Sequence, residues 1–354
     1  DFELKNLPPN ETEELKGIIE NHVGFMQMPM AITGPAIIDG KYAKGEFAIP
    51  LCTIEGSLAA SMNRGLYASS LCGGMKVKHF RQELSRSPIF IFDDLKKSDE
   101  FQNWVNEHLD EIKKAAQSTT QYGKVIRIDQ YAIQNYVLLD FILDTGNAAG
   151  QNMVTLATNV ACEYIRQETG HKFFLDSNLA SDKKASSRNM ILGRGHGVIA
   201  ETHITKSVMS RVLNVDPDFV IENWTYFPIV SAMAGTLGNA IHASNALTAI
   251  YIATGQDTAC VAENSVVHFT VEKVDDGITW RVTLPSMTVG TVGGGTRLNQ
   301  QQQNLKLLGC DSGKHSSRKL AEIIAAAALG LEISLGSAIM SHTWTSAHMK
   351  YGRK

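Results

Sequence analysis

Between residues 88 and 170 the hydrophobic pattern changes period several times, and that order of periods leaves few folds open. Pro88 to Asp94 (PIFIFDD) is a short, near-continuous apolar run that reads as a strand. The next stretch has helical spacing: Phe101, Trp104, Val105, Leu109 and Ile112 share one face, and Ser98 stands where a cap would. KVIRIDQYAI and NYVLLDFILD then read as two strands about a turn at Gln134–Asn135. AAGQNMVTLATNVACEYIRQETG reads as a second helix, ending near Gly170. The order β-α-β-β-α is that of a split β-α-β unit, which can form a small domain inserted in a larger one.

The chain of 354 residues has room for two domains. The expectation is an α/β (α+β) protein. A large domain of mixed helices and sheet is built from residues 1–87 and 173–354, and a small ferredoxin-like domain spans 88–172. Outside the insertion, a short helix is expected from Glu11 to Asn21, capped by Asn10, followed by an irregular Met-, Gly- and Pro-rich stretch to Pro35. KGEFAIPLCTI reads as a strand and GSLAASMNRGLYAS as a helix of small residues. HGVIAETHI reads as a strand. VVHFTVEKVDDGITWRVTLPSM reads as a hairpin with Asp276-Gly277 at its turn.

One segment needs a membrane test. Ser231 to Thr254 contains no Asp, Glu, Lys or Arg, and about 20 apolar residues suffice to span a bilayer. Its Asn239, His242, Ser244 and Asn245, together with many Gly and Ala residues, favour one long helix buried in a large core. No membrane contact is expected in this chain. The polar start lacks the apolar run of a signal peptide, which points to the cytoplasm, with an upstream anchor left open because the chain begins at Asp1.

The net charge of −3 gives no basic footprint for nucleic acid. Cys52, Cys72, Cys162, Cys260 and Cys310 are scattered, form no CxxC pair, and read as buried free thiols in a reducing compartment. No metal site is expected.

Several segments could carry chemistry, and each also has a plain structural reading. Gly290 to Thr296 (GTVGGGT) could be a backbone nest for an anion or a tight turn. It is not a dinucleotide fingerprint, since no β-α unit surrounds it. Asn147 to Asn152 (NAAGQN) could present a helix N-terminus to a phosphate, or be an ordinary helix start. In SDKKASSRN, two adjacent lysines are either solvated or include an ammonium that meets an oxyanion, which then needs a carboxylate neighbour. Glu55, at the start of a helix, is a dipole partner or, if buried, a general acid. Asp257 in TGQDTA and His348 in SAHMKYGRK are ambiguous alone.

Taken in order, ENHVGFMQMPMAITGP, TIEGSLAAS, NAAGQN, DKK, GQD, GTVGGGT and HMK resemble the 3-hydroxy-3-methylglutaryl-CoA reductase family along nearly the whole chain. The spacing is similar to the form shared by eukaryotic and archaeal members. The resemblance implies a four-electron reductase that takes 3-hydroxy-3-methylglutaryl-CoA through a hemithioacetal and mevaldehyde to mevalonate and CoA. It implies NADPH as cofactor, NADH being the alternative. It also implies a homodimer or homotetramer with active sites at the subunit interface.

By the same resemblance, Glu55, Lys183, Asp257 and His348 are the catalytic set. Asn147, Gly150, Gln151 and Asn152, with Gly293, Gly294, Gly295, Thr296 and Arg353, would bind the cofactor. Glu20, Asn21, Ser61, Asn63, Arg64, Arg86, Asn178, Lys184 and Asn245 would line the substrate and CoA site, with Arg86 meeting the glutaryl carboxylate.

Three positions depart from the family pattern. Asn147 stands where an aspartate is usual, and Tyr226 stands where a lysine usually contacts the glutaryl group. Asp176-Ser177-Asn178 replaces a serine and glycine before the asparagine. These departures keep two alternatives in view: a reductase for a different acyl-CoA, and a non-catalytic acyl-CoA-binding relative.

Overall fold

The computed structural model describes residues 15, 17–22 and 24–343, and within these the chain builds one ten-stranded sheet with helices against it. Strands β1 (Met30–Gly40) and β2 (Lys44–Cys52) form an antiparallel hairpin. Helix α1 (Leu58–Ser70) follows and leads into β3 (Met75–Arg86). Next come β4 (Ile89–Ile91), α2 (Leu95–Glu107), α3 (Leu109–Gln117), β5 (Lys124–Ile133), β6 (Tyr136–Asp144), α4 (Gln151–Thr169) and β7 (Phe173–Phe174). The chain continues through β8 (Gly195–Thr205), α5 (Tyr226–Met233), α6 (Ala243–Thr254), β9 (His268–Val274) and β10 (Gly277–Leu284). It closes with α7 (Asn299–Leu307) and α8 (Ser316–Met340).

β6 pairs antiparallel with both β4 and β5, so β4 and β5 run parallel on either side of it, joined by α2 and α3. This is the split β-α-β arrangement that the alternating periods imply. β3 is the shared member of the sheet. Its end pairs with β6, its middle with β8, and its beginning with β1. The buried apolar side chains form two clusters. One holds Phe90, Phe101, Val105, Phe141 and Ile165. The other surrounds α8 and includes Ile38, Leu66, Trp280, Ile324 and Leu329.

Helix α8 is the centre of the larger cluster. It is apolar enough to span a bilayer by composition, with a mean hydropathy of 1.9, but 94% of that window is buried inside the fold. Helix α1 crosses it at a pair of glycines: a Cβ on Gly65 would lie 1.8 Å from the carbonyl oxygen of Gly330. Only glycine permits that backbone approach.

Several local expectations change. Residues 231–254 are not one buried helix. The chain breaks into α5 and α6, separated by Gly235 and Gly238, both at positive φ. Gly238 packs on Val267, whose carbonyl accepts from the N–H groups of Asn239 and Ala240. None of α5 is buried, whereas α6 is buried along most of its length. The longest buried apolar helix among the described residues is α8 instead. Asp94 caps α2 by accepting from the Lys97 N–H, and the expected cap, Ser98, lies inside that helix. The β9–β10 turn is Asp275-Asp276, one residue early, because Gly277 already pairs with Val274. Met30 begins a strand rather than continuing the irregular stretch. Cys52 and Cys72 are only partly buried. Most of the helix expected over residues 11–21 lies outside the described residues.

Candidate active site

Lys183 sits on an irregular loop with Asn178, Ser181 and Lys183 itself at positive φ. Non-glycine residues rarely adopt that conformation, so surrounding contacts must impose it. Ser177 anchors the loop to Ser87 through its N–H at 2.9 Å and its hydroxyl at 2.7 Å. The Lys183 N–H donates to Glu263 Oε2 at 2.7 Å. Glu263 is fully buried, accepts from the Thr288 hydroxyl, and lies 3.5 Å from the buried guanidinium of Arg194. Burial pushes the Glu263 carboxyl above its ordinary range, and Arg194 opposes that shift. Arg194 also lies 3.2 Å from Asp182, the neighbour of Lys183.

The loop thereby delivers the Lys183 ammonium to Asp257, Nζ to Oδ2 at 2.8 Å. Asp257 is positioned in turn by accepting from the Ala259 N–H. Their hydrogen bond holds the Lys183 ammonium above the usual lysine range, against partial desolvation. The pair is half-exposed rather than sealed off: 43% for the lysine side chain and 41% for the aspartate. Lys184 is exposed and donates to the Asp182 carbonyl.

This pair opens on a cleft of about 670 Å³ walled by both glycine segments. Thr291 N–H donates to the Asn147 carbonyl, and Ala148 bridges to Val292, so the two segments run side by side. Gln256 holds the second of them with a reciprocal pair of bonds to Gly290, each 2.9 Å. Gly150 stands at the α4 N-terminus at φ +90 with no side-chain cap. Gly293 and Gly294 have open space where a Cβ would be. Uncapped N–H groups at the start of a 19-residue helix, beside a glycine-rich turn, form a site that favours an anion such as a phosphate. Gln151, Asn152 and Thr296 line the same cleft. Asn147 faces elsewhere, donating to the Gly313 carbonyl and accepting from Ser317.

Glu55 is not with Lys183. It is exposed and accepts from Asn245 Nδ2 at 3.2 Å. Asn245 is in the first turn of α6, while Asp257 lies just beyond its last. Twelve helical residues separate the two ends by about 18 Å. Ser61 and Arg64 bond to Ser334 on α8, and Asn63 accepts from the Gly34 N–H. Arg86 is buried between Asp176 and Asp182, at 3.0 and 3.2 Å. Glu20, Asn21 and Asn178 are exposed. His348 and Arg353 lie outside the described residues.

Residues 2–353 match the family described as hydroxymethylglutaryl-coenzyme A reductase. The chain belongs to that family. The reductase of Methanocaldococcus jannaschii is 38% identical over 98% of this chain and 88% of its own length. That of Aeropyrum pernix is 39% identical over 95% and 82%. A class II reductase of Streptococcus pneumoniae, solved with NADPH bound, shares the fold with a TM-score of 0.74 at 18% identity, over 92% of this chain and 79% of that one.

Sequence reasoning missed Glu263 and Arg194, which hold the Lys183 loop, and the role of Gln256, which holds the Gly290 segment. Glu263 and Arg194 are lone polar residues in unremarkable stretches, and Gln256 sits beside the more conspicuous Asp257, so only the fold reveals their partners. It also missed Glu332. This fully buried carboxylate on α8 accepts from the Ile241 and His242 N–H groups at 2.6 and 2.8 Å, fixing the turn into α6. Burial pushes it up to about 7. A carboxyl raised in the folded state binds more protons there than in the unfolded chain. Its stabilising contribution is therefore full below about pH 4.5 and is lost as pH rises through 7. The melting temperature of the wild type minus that of Glu332→Gln should fall between pH 5 and 8, by the equivalent of about 3 kcal/mol. A flat difference would refute this role.

Proposed function

We propose that this chain reduces 3-hydroxy-3-methylglutaryl-CoA to mevalonate and CoA, consuming two NADPH and two protons. The observation that carries the reading is the Lys183–Asp257 pair at 2.8 Å on the wall of the glycine-lined cleft. An ammonium held charged by a carboxylate, beside a site fit for a phosphate-bearing cofactor, is what hydride transfer to a carbonyl requires. The reduced nicotinamide supplies the hydride.

Negative charge gathers on the thioester oxygen as the first hydride arrives, and Lys183 stabilises it while Asp257 fixes the ammonium in position. The hemithioacetal then collapses to mevaldehyde. His348 protonates the departing thiolate, since imidazole titrates near the working pH. Glu55 gives a proton to the new alcohol in the second reduction, and Arg86 meets the acyl carboxylate. Gly150, Gln151, Asn152 and the Gly293–Thr296 turn hold the cofactor, with Asn147 bracing that loop and Arg353 near its ribose phosphate. Glu20, Asn21, Ser61, Asn63, Arg64, Asn178, Lys184 and Asn245 shape the acyl-CoA side.

The distance between Glu55 and Lys183 within one chain supports a site shared between two copies, in a homodimer or a dimer of dimers. A second copy would bring its Glu55 to this Lys183. Ile54, the apolar neighbour of Glu55, is 84% exposed, which supports the same reading. The longest apolar helix is spent on the core, which fits a cytoplasmic catalytic unit.

The test is nicotinamide absorbance with 3-hydroxy-3-methylglutaryl-CoA and NADPH, with NADH in parallel. Two cofactors oxidised per CoA released support the reading. No oxidation by folded protein leaves it as a reductase of another acyl-CoA or as a binding protein.

A further inference from the structure

Arg86 is tied to the Lys183 loop through Asp182, and it is already occupied. Its two terminal nitrogens donate to Asp176 Oδ2 at 3.0 Å and to Asp182 Oδ2 at 3.2 Å. Its Nε is buried without a hydrogen-bond partner. The two aspartates differ. Asp182 is 17% exposed and also faces Arg194, whereas Asp176 is 47% exposed and at the open edge of the cluster. Asp176 is aimed at Arg86 by its neighbours. Ser177 is laced to Ser87, the residue after Arg86, and Asp176 Oδ1 accepts from the Asn178 N–H at 2.9 Å. Arg86, Lys183 and Arg194 are each ion-paired with carboxylates of this cluster, Asp176, Asp182, Asp257 and Glu263, while the exposed Lys184 donates to the Asp182 carbonyl.

We propose that Asp176 sets how tightly this chain holds the carboxylate end of its acyl thioester: it occupies Arg86 and so raises the KM for a carboxylate-ended acyl group, while an uncharged end is unaffected. This rests on the reading above that Arg86 faces the far end of the acyl group. An incoming carboxylate must displace Asp176 from one guanidinium nitrogen and then lie beside it, a like charge at close range. An uncharged acyl end meets neither cost. Asp176 is a positioning residue that acts through Arg86, so its signature lies in KM and in substrate discrimination, with kcat little changed.

The experiment uses the full chain and two thioesters: 3-hydroxy-3-methylglutaryl-CoA, and 3-hydroxy-3-methylbutyryl-CoA, which lacks the terminal carboxylate. Asp176→Asn keeps an acceptor for the Asn178 N–H and removes the charge. It should lower KM for the first substrate about tenfold, which is about 1.4 kcal/mol, with kcat and the second substrate changed less than twofold. Asp176→Ser should do the same. An unchanged or raised KM for the carboxylate-bearing thioester, or equal shifts for both substrates, overturns the proposal. If wild-type protein turns over neither thioester, the reductase reading fails separately. Calorimetric titration with 3-hydroxy-3-methylglutarate then decides the role of Asp176: tighter binding to Asp176→Asn supports it, and equal or weaker binding overturns it.

Discussion

Lys183→Ala should lower kcat by on the order of a thousandfold while leaving the melting temperature within a few degrees of wild type. On the proposed role of Lys183, the loss follows from removing a charged donor aimed at the developing oxyanion; single donors of this kind are worth about 10²–10³ even when neutral. The stability forecast follows from what the side chain does in the folded protein. Its ion pair with Asp257 is half-exposed, and such pairs contribute about 0–1 kcal/mol. The backbone bond from the Lys183 N–H to Glu263 survives truncation, and alanine meets the same positive φ that lysine already tolerates. Asp257→Asn separates charge from shape. The amide can still accept from the ammonium but no longer favours its charged form, so the lysine loses protons more readily. The alkaline limb of the kcat profile should therefore move to lower pH. A loss of only a few-fold in Lys183→Ala, or an unmoved alkaline limb in Asp257→Asn, would make the pair a surface salt bridge and nothing more.

What could be read from residues alone followed the rule of local signals. Periodicity fixed the split β-α-β order, because apolar residues two or nearly four apart record which face is buried. Gly170 ended α4 as expected, at φ +76. The break at Gly235–Gly238 was not legible, since an uncharged Gly- and Ala-rich run looks the same whether it continues as a helix or turns. What decides it is the distant carbonyl of Val267. The turn at Asp275 was misplaced for a similar reason: Asp-Gly is the favoured hairpin pair, but cross-strand register put Gly277 in the strand. At the site, the motifs named Lys183, Asp257 and the glycine segments, and the fold brings these to one cleft. They could not tell that Glu55 belongs at the other end of α6, or that Asp176 is bound to Arg86. Both facts concern residues far apart in sequence, and no local pattern encodes them.

That division of the site has a consequence larger than any single substitution. If Glu55 of one copy serves Lys183 of another, then Glu55→Gln and Lys183→Ala proteins, each nearly inactive alone, should regain activity when mixed and allowed to exchange subunits. Random re-pairing in equal amounts makes about half of the dimers mixed. Each mixed dimer has one site with both lesions and one with neither, so recovery should approach about a quarter of wild-type activity. A site contained within one chain gives no recovery at all, because every chain then carries its own lesion. The contrast does not depend on how inactive each variant is, only on which chain supplies which group. Exchange itself can be followed by tagging one variant, so a failure to mix is distinguishable from a failure to complement. Recovery with confirmed exchange would also explain why Glu55 is exposed in the isolated chain: the surface that covers it would then belong to the partner.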